Sequence, residues 1–512
     1  MVSKFVQGMR EKESRRFFFV YLAGKMAGVA LLLAAVYVIG SFLHTPAGAQ
    51  DATPSTADQI TSVVNATNTM WTLVAAFLVF FMQAGFMMLE AGFARTREVV
   101  NILMECIVDT CLCGLLFWAW GFAFMFGNGN GVIGHEFFFL NGATPAYGTT
   151  GVAFMAFFLF QLAFADTCST ITSGAMVGRT GFKGDLLYSF GVSGFIYPIL
   201  GHWAWGPGGW LATLDTPFRD FAGSTVVHTI GGAVALTGAI ALGPRLGRRF
   251  KRDGGGMPPG HDLTIAAIGG IILWFGWYGF NPGSTLSALD AEGIGRVATN
   301  TTLAACSGGL MAMAYMYRRF KTWDMGITIN GFLGGLVAIT APCYWVNNAG
   351  AIAIGAVAGV VVILVVDLLE HVRIDDPIGA VPVHMACGIW GTLSVGLFAT
   401  GQYGLPGSTG ADLTTKVEGL FWGGGTTQLI SQIEGSLAIG GAAVIVGLIL
   451  MYLVKATGTL RVSEEGEREG IDKHEHGLPA YHPETAYLGQ MPSNTGVMPR
   501  QTTSPLSERI TS

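Results

Sequence analysis

The chain has 512 residues, 51% of them hydrophobic and 12% charged, with 74 glycines and a net charge of −5. Of its 61 charges, residues 1–25 carry eight and residues 461–512 carry thirteen, which leaves 40 for the 435 residues between. That is too little charge to coat a soluble surface of this size. The composition argues against a soluble enzyme or a nucleic-acid-binding protein and for a polytopic membrane protein.

The first element reads as an export signal. Lys4 to Arg16 is net basic, an apolar run follows from Met26 to Leu43, and Ala47-Gly48-Ala49 supplies small residues for cleavage. The apolar run is long, so the alternative is an uncleaved anchor helix. Residues 50–65 read as a polar segment outside the cell.

Eleven apolar segments follow, near 70–93, 101–126, 151–178, 185–205, 223–243, 263–282, 297–317, 326–346, 349–371, 378–399 and 427–455. Each is long enough to cross about 30 Å of hydrocarbon as a helix. Basic residues test the count. Arg95 and Arg97, Arg179 and Lys183, Arg245 to Arg252, Arg318 to Lys321, Arg373, and Lys455 with Arg461 follow the odd-numbered segments. Loops after even segments hold only Arg219, Arg296 and Lys416. The positive-inside rule then puts the mature N-terminus outside and the C-terminus in the cytoplasm of a cell-membrane protein. The seven cysteines show no Cys-x-x-Cys and no histidine pairing, so they read as buried packing residues, with no metal site and no cofactor expected.

A repeat is visible in chain order. Asp220 precedes His228 by eight residues, and Asp376 precedes His384 by eight, at the starts of segments five and ten. Segments 1–5 and 6–10 have opposite topology, which fits a five-plus-five inverted repeat with a site at the midplane. Each histidine alone reads either as a satisfied packing residue or as a functional group. Their repeat-related positions favour a shared pore, where neutral imidazoles donate on one nitrogen and accept on the other. Asp220, opening a helix in "DFAG", reads as a cap for backbone N–H groups rather than a direct cation ligand, and Asp376 reads the same way. Glu90, Glu105, Asp109 and Asp166 also lie within segments and read as helix-packing groups, with no partner evident. Phe160 and Phe164 share a helix face. Trp205, Trp277, Phe280 and Ser284 read either as interfacial and packing residues or as a cation–π vestibule. The charged run from Ser463 to Gly477 reads as a segment docked under the helices (457–479), and 480–512 as a disordered tail.

The segments "DFAGSTVVH", "FGWYGFNPGST", "ITAPC", "DDPIGAVPVHMACGIWG" and "LRVSEEGEREGIDKHEHG" together resemble the ammonium transporter family (Amt/MEP/Rh), on its Amt side, over roughly residues 66–476. The resemblance implies an all-α fold of eleven transmembrane helices in an inverted repeat, assembled as a homotrimer with one pore per subunit. It implies that His228 and His384 are the pore histidine pair, and that Phe164 and Phe280 form a stacked gate. It further implies that Trp205, Ser284 and Phe160 recruit ammonium, that Trp277 lines the pore, and that Asp220 is the aspartate near the entrance. A PII-type signalling protein is the implied cytoplasmic partner. Two departures stand out. Family members often read Ala-Glu-Arg where this chain has Val177-Gly178-Arg179, and Asp166 sits where many members are apolar.

The implied activity is transport, not catalysis. Ammonium and potassium have similar size and charge, so a cation–π mouth separates them poorly. Only ammonium can leave a proton behind and continue as ammonia through an apolar passage that excludes desolvated ions. The alternatives are an ammonium sensor of the same fold with little flux, and a channel for another small neutral gas.

Overall fold

A computed structural model describes residues 55–481. The expected signal, 1–49, and the tail from 482 onward lie outside the described residues. The chain separates into two compact units, 1–59 and 60–512, and the architecture below is that of the second, apart from the first four residues of α1.

Among the described residues, eleven long helical stretches follow one another. They are α1 (Thr56–Phe93), α2 (Val99–Phe126), α3 (Phe154–Gly174), α4 (182–205), α5 (Ser224–Leu242), α6 (Leu263–Thr285), α7 (Ala291–Phe320), α8 (Met325–Thr340), α9 (Asn348–Val372), α10 (Val381–Phe398) and α11 (Thr427–Ala456). Among the described residues, eight of them are long and apolar enough to cross a membrane. The protein is thus an all-α polytopic membrane fold. The three exceptions each have a reason in the sequence. α4 carries Lys183, Asp185 and His202, α7 threads Thr299, Asn300, Thr301 and Thr302 through its middle, and α8 has only 16 residues. α1 begins well before residue 70, so most of the segment expected to be a polar external stretch is helical. Two short hairpins decorate the loops, β1 (Ala146–Tyr147) with β2 (Val152–Ala153) and β3 (Leu405–Gly407) with β4 (Gly410–Asp412).

The abundance of glycine has a packing cause. In lipid no hydrophobic force drives helices together, so close van der Waals approach must. A Cβ built on Gly308 of α7 would lie 2.5 Å from the Gly331 carbonyl of α8 and 3.1 Å from the Gly355 carbonyl of α9. Three backbones meet there, and nothing larger than hydrogen fits between them. The outer faces remain apolar, with Phe77, Leu115, Ile271 and Leu437 exposed. Cys111 and Cys306 share that outward position, which corrects the expectation that all the cysteines pack inside.

After α11 the chain returns beneath the helix ends through α12 (Glu464–Glu469) and α13 (Ile471–His476). Glu467 accepts from the Leu246 N–H at 2.6 Å and from Arg461 at 2.8 Å. The Asp472 carboxylate accepts from the Asn101 N–H at 2.9 Å, which satisfies a donor at the start of α2. Beside this segment, the Glu98 carboxylate packs within 2.7 Å of where a Cβ on Gly178 would stand. A carboxylate from the α1–α2 loop thus fills the space that a side chain at position 178 would need.

Candidate functional site

The repeat seen in sequence closes into one structure at the centre of the bundle. Each half begins with an aspartate, turns at a glycine three residues later, and enters its helix through a π-type turn. Gly223 has φ 114° and Gly379 has φ 84°, a left-handed geometry that only glycine adopts freely. The Asp220 carboxylate accepts the N–H groups of Gly223, Ser224, Thr225 and Val226 at 2.8–2.9 Å. The Asp376 carboxylate accepts those of Gly379, Ala380 and Val381 at 2.8–3.1 Å. These are the donors a helix start leaves unpaired, and the positive end of the helix favours the anion. Both oxygens of each aspartate face backbone donors.

The wide turns 224–229 and 381–386 carry His228 and His384. The helices cross with a reciprocal fit. A Cβ on Gly232 would lie 2.4 Å from the Met385 N, and one on Gly388 would lie 2.5 Å from the Thr229 hydroxyl oxygen. Both contacts are related by the same shift of 156 residues that relates the two histidines. The glycines let α5 and α10 touch, and the imidazoles meet as a result. Their Nδ1 atoms are 3.2 Å apart and both rings are buried. Two neutral imidazoles so placed must hold opposite tautomers. One Nδ1–H donates and the other Nδ1 accepts, so one Nε2 keeps a lone pair while the other carries a hydrogen. His228 Nε2 has no protein partner.

Aromatic rings extend this pair in a column. His228 stacks on Trp277 (centroids 5.2 Å) and on Phe280 (5.4 Å). Phe280 stacks on Phe164 at 4.0 Å, and Phe164 meets Phe160 at 4.6 Å and the edge of Trp205 at 6.2 Å. Second contacts hold the rings in place. Trp205 Nε1 donates to the Asp220 carbonyl at 2.8 Å, and Trp277 Nε1 donates to the Thr340 hydroxyl at 2.9 Å. Ser284, half-buried above the phenylalanines, donates to the Phe280 carbonyl at 2.8 Å. Every residue singled out in the sequence for this region therefore belongs to one contiguous cluster, apart from Asp376 and Ser284, which border it. Phe86 was missed. It lies 6.4 Å from His384, and nothing in its apolar surroundings distinguishes it from a packing residue. No charged side chain interrupts the column. Among the described residues no group of His, Cys, Asp or Glu is arranged to hold a metal ion.

At the other end of α5, the Asp375 carboxylate receives Arg245 at 2.8 and 2.9 Å and Arg248 at 3.0 Å. Although burial alone would raise it, these hydrogen bonds and the Arg179 charge hold Asp375 well below the usual carboxylate range. The buried acids fare unevenly. Glu105 accepts from Asn101 at 2.7 Å and Glu90 from Ser173 at 3.5 Å. Asp109 and Asp166 make no hydrogen bond of ordinary geometry, but Ser189 lies beside the first and Gln83 and Thr110 beside the second.

Residues 70–481 match the model of the Ammonium Transporter Family. Ammonium transporter Amt2 of Archaeoglobus fulgidus is 44% identical over 424 residues, covering 80% of this chain and 87% of its own length. Ammonium transporter 1 member 3 of Solanum lycopersicum is 38% identical, covering 82% of this chain and 94% of its own. Among solved structures, one described as a sensor Amt protein aligns with a TM-score of 0.73 at 36% identity, over 81% of this chain and 99% of its own. Mep2 of Saccharomyces cerevisiae aligns with a TM-score of 0.71 at 28% identity, over 78% of this chain and 88% of its own.

Proposed function

This chain belongs to the ammonium transporter family, and from that membership we propose that it recruits ammonium at an external aromatic vestibule, strips one proton, and conducts ammonia past His228 and His384. The observation that carries the reading is the uncharged column ending in a histidine pair with an unpartnered Nε2. An isolated ion moved into surroundings of low dielectric costs tens of kcal/mol, whereas a small neutral hydride costs a few. A column without a counter-charge thus discriminates by charge, and the proton is the one charge ammonium can shed. The free Nε2 offers a hydrogen bond to what remains.

In this reading Trp205, Phe160 and Ser284 form the recruitment site, Phe164 and Phe280 the gate, and Trp277 a pore wall. Asp220 and Asp376 hold the two histidine turns. The membrane domain spans 66–456 as eleven crossings in two inverted sets of five plus a last helix. The protein sits in the cell membrane as a homotrimer, with the signal (1–49) removed, the N-terminus outside and 457–512 in the cytoplasm, where a PII-type protein docks. Methylammonium serves as substrate analogue.

Current evoked by ammonium in reconstituted vesicles, together with methylammonium uptake, tests the reading. Absence of both from intact protein rejects it. Loss of selectivity against potassium is expected in His228→Ala/His384→Ala; retained selectivity removes the charge-filter argument. The similarity to a protein described as a sensor supports a second reading, ammonium binding with little flux. Saturable ammonium binding without measurable uptake would favour it.

A further inference from the structure

α2 and α4 end on the face that carries Trp205, and both end beside His202, a residue the aromatic–histidine column does not use. The last carbonyls of a helix have no donor within it and need one from elsewhere. At the end of α2 each finds one. Ala123 accepts from the Gly127 N–H at 3.1 Å, Phe124 from the Gly134 N–H at 2.9 Å, and Phe126 from the Tyr147 hydroxyl at 2.7 Å. Met125 is left to His202, whose ring Nδ1 lies 2.8 Å from its carbonyl oxygen. The other ring nitrogen, Nε2, lies 2.8 Å from the Asn130 carbonyl oxygen, in the loop that follows α2. That loop is docked carbonyl by carbonyl. Asn130, Gly131 and Val132 face in turn the His202 ring, the Trp210 N–H at 3.0 Å and Trp203 Nε1 at 3.1 Å. Gly206 leaves the ring its room, since a Cβ there would lie 2.1 Å from Nδ1. Three residues beyond His202, Trp205 donates to the Asp220 carbonyl. The last turn of α4 thus braces the end of α2 on one side and the entry to α5 on the other.

A carbonyl oxygen only accepts. A neutral imidazole carries one N–H and one lone pair, so it would set that lone pair against one of the two carbonyls. Only a ring with a hydrogen on each nitrogen satisfies both, in a site closed to solvent. Bonds from a charged donor are also about twice as strong as neutral ones. The ring lies at the negative ends of two helices, where a cation is favoured. Among the described residues, no ionisable side chain on the elements around this turn bonds to the ring. Asp166 lies beside Gln83 and Thr110, His228 against His384, and the Asp220 carboxylate faces its backbone donors. Glu136 accepts from Asn128, and His135 and Glu434 are exposed.

We propose that His202 is a buried imidazolium that acts as a positioning residue for ammonium recruitment, tying the end of α2 and the loop after it to the turn that carries Trp205. This rests on the reading of Trp205 as part of the recruitment site. His202 itself does not touch the substrate. Its two N–H groups fix where the last turn of α4 stands, and that turn fixes the indole. Removal of one ring hydrogen frees either the Met125 or the Asn130 carbonyl, loosens the loop from α4, and weakens capture of the substrate without blocking the passage behind it.

The test uses the full chain in vesicles. NMR with labelled histidine ring nitrogens and labelled methionine carbonyl carbons singles out this ring, because among the described residues Met125 is the methionine whose carbonyl bonds a histidine ring. Two hydrogen-bearing nitrogens are expected at neutral pH, and a lone pair on either overturns the proposal. Methylammonium uptake at fixed internal pH measures the consequence. His202→Gln is uncharged and gives up one of the two bonds, so its KM should rise about tenfold with the maximal rate held within about twofold. Alkaline external solution, in a range where the substrate keeps its proton, should raise the wild-type KM as the ring loses a hydrogen, and should leave the variant flat. A neutral packing residue would give no such profile. Unchanged KM in folded His202→Gln, or wild-type pH dependence in that variant, overturns the proposal. If the variant misfolds, the wild type decides alone: a KM that stays flat while the ring is seen to lose its hydrogen overturns it. No uptake by the wild type rejects the recruitment reading and the positioning role together, while the NMR result still decides the imidazolium.

Discussion

Replacing Asp220 separates its capping geometry from a role as cation ligand. The carboxylate accepts four backbone N–H groups, two on each oxygen. Asp220→Ala leaves all four buried and unpaired. At about 1 kcal/mol each, the low end for an unsatisfied buried donor, the loss is about 4 kcal/mol. Asp220→Asn keeps one accepting oxygen and turns an N–H donor toward the remaining pair, so about 2 kcal/mol is expected on the same scale. Asp376 accepts three such groups, so Asp376→Ala is expected to cost about 3 kcal/mol. The order is therefore Asp220→Ala, then Asp376→Ala, then Asp220→Asn. Denaturation of purified protein in detergent, followed by tryptophan fluorescence, measures it. The assay is local as well as global, because the Asp220 carbonyl holds Trp205. Wild-type stability in Asp220→Asn together with lost ammonium binding would refute the cap argument and restore the ligand role.

Two further outcomes follow from the geometry. Gly232→Ala places a methyl 2.4 Å from a backbone nitrogen of α10, which cannot yield as a side chain can. Overpacking of this kind costs about 1–3 kcal/mol and is expected to part the imidazoles, so ammonium-evoked current should fall by more than half, and unchanged current would show that the crossing tolerates separation. The His476 imidazole is lowered from its ordinary value by burial against the α2 start, beyond the opposing pull of Asp472 and Glu475. Its neutral form is favoured in the folded segment, so the unfolded segment binds more protons below about pH 6.5. Docking should weaken as pH falls through that value, measured as faster proteolysis after Gly477, and His476→Gln should remove the pH dependence; cleavage independent of pH in the wild type, or pH dependence that persists in His476→Gln, would contradict it.

Much of the architecture was legible because hydrocarbon thickness and loop charge leave direct marks on sequence. Span positions needed only run length and the arginines that follow them. Which face of a span looks inward was not legible, since lipid and protein interior are equally apolar. That is why Cys111 and Cys306 were placed inside although they face outward. The Asp–His repeat announced the site, but the meeting of His228 with His384 depends on Gly232 and Gly388, two glycines among 74. Asp185 escaped notice because it follows Lys183 at the edge of a span, where a charge normally reaches water. Only the packed bundle shows it fully buried beside Tyr188. Glu98 likewise looked like an ordinary loop acid until the fold set its carboxylate against Gly178.

The two imidazoles share one hydrogen across near-equivalent nitrogens, and the helices that carry them exchange places under a single repeat shift. Exchanging the tautomers moves the free lone pair from one Nε2 to the other without any change of fold. A centre that holds either state has no preferred sense of travel. For a protein that moves ammonium, it follows that rectification is not built into the middle of the membrane. Net direction belongs to the gradients on either side, and any asymmetry of control belongs to the rims, where one end carries an aromatic cup and the other a charged segment tied to Asn101 and Leu246.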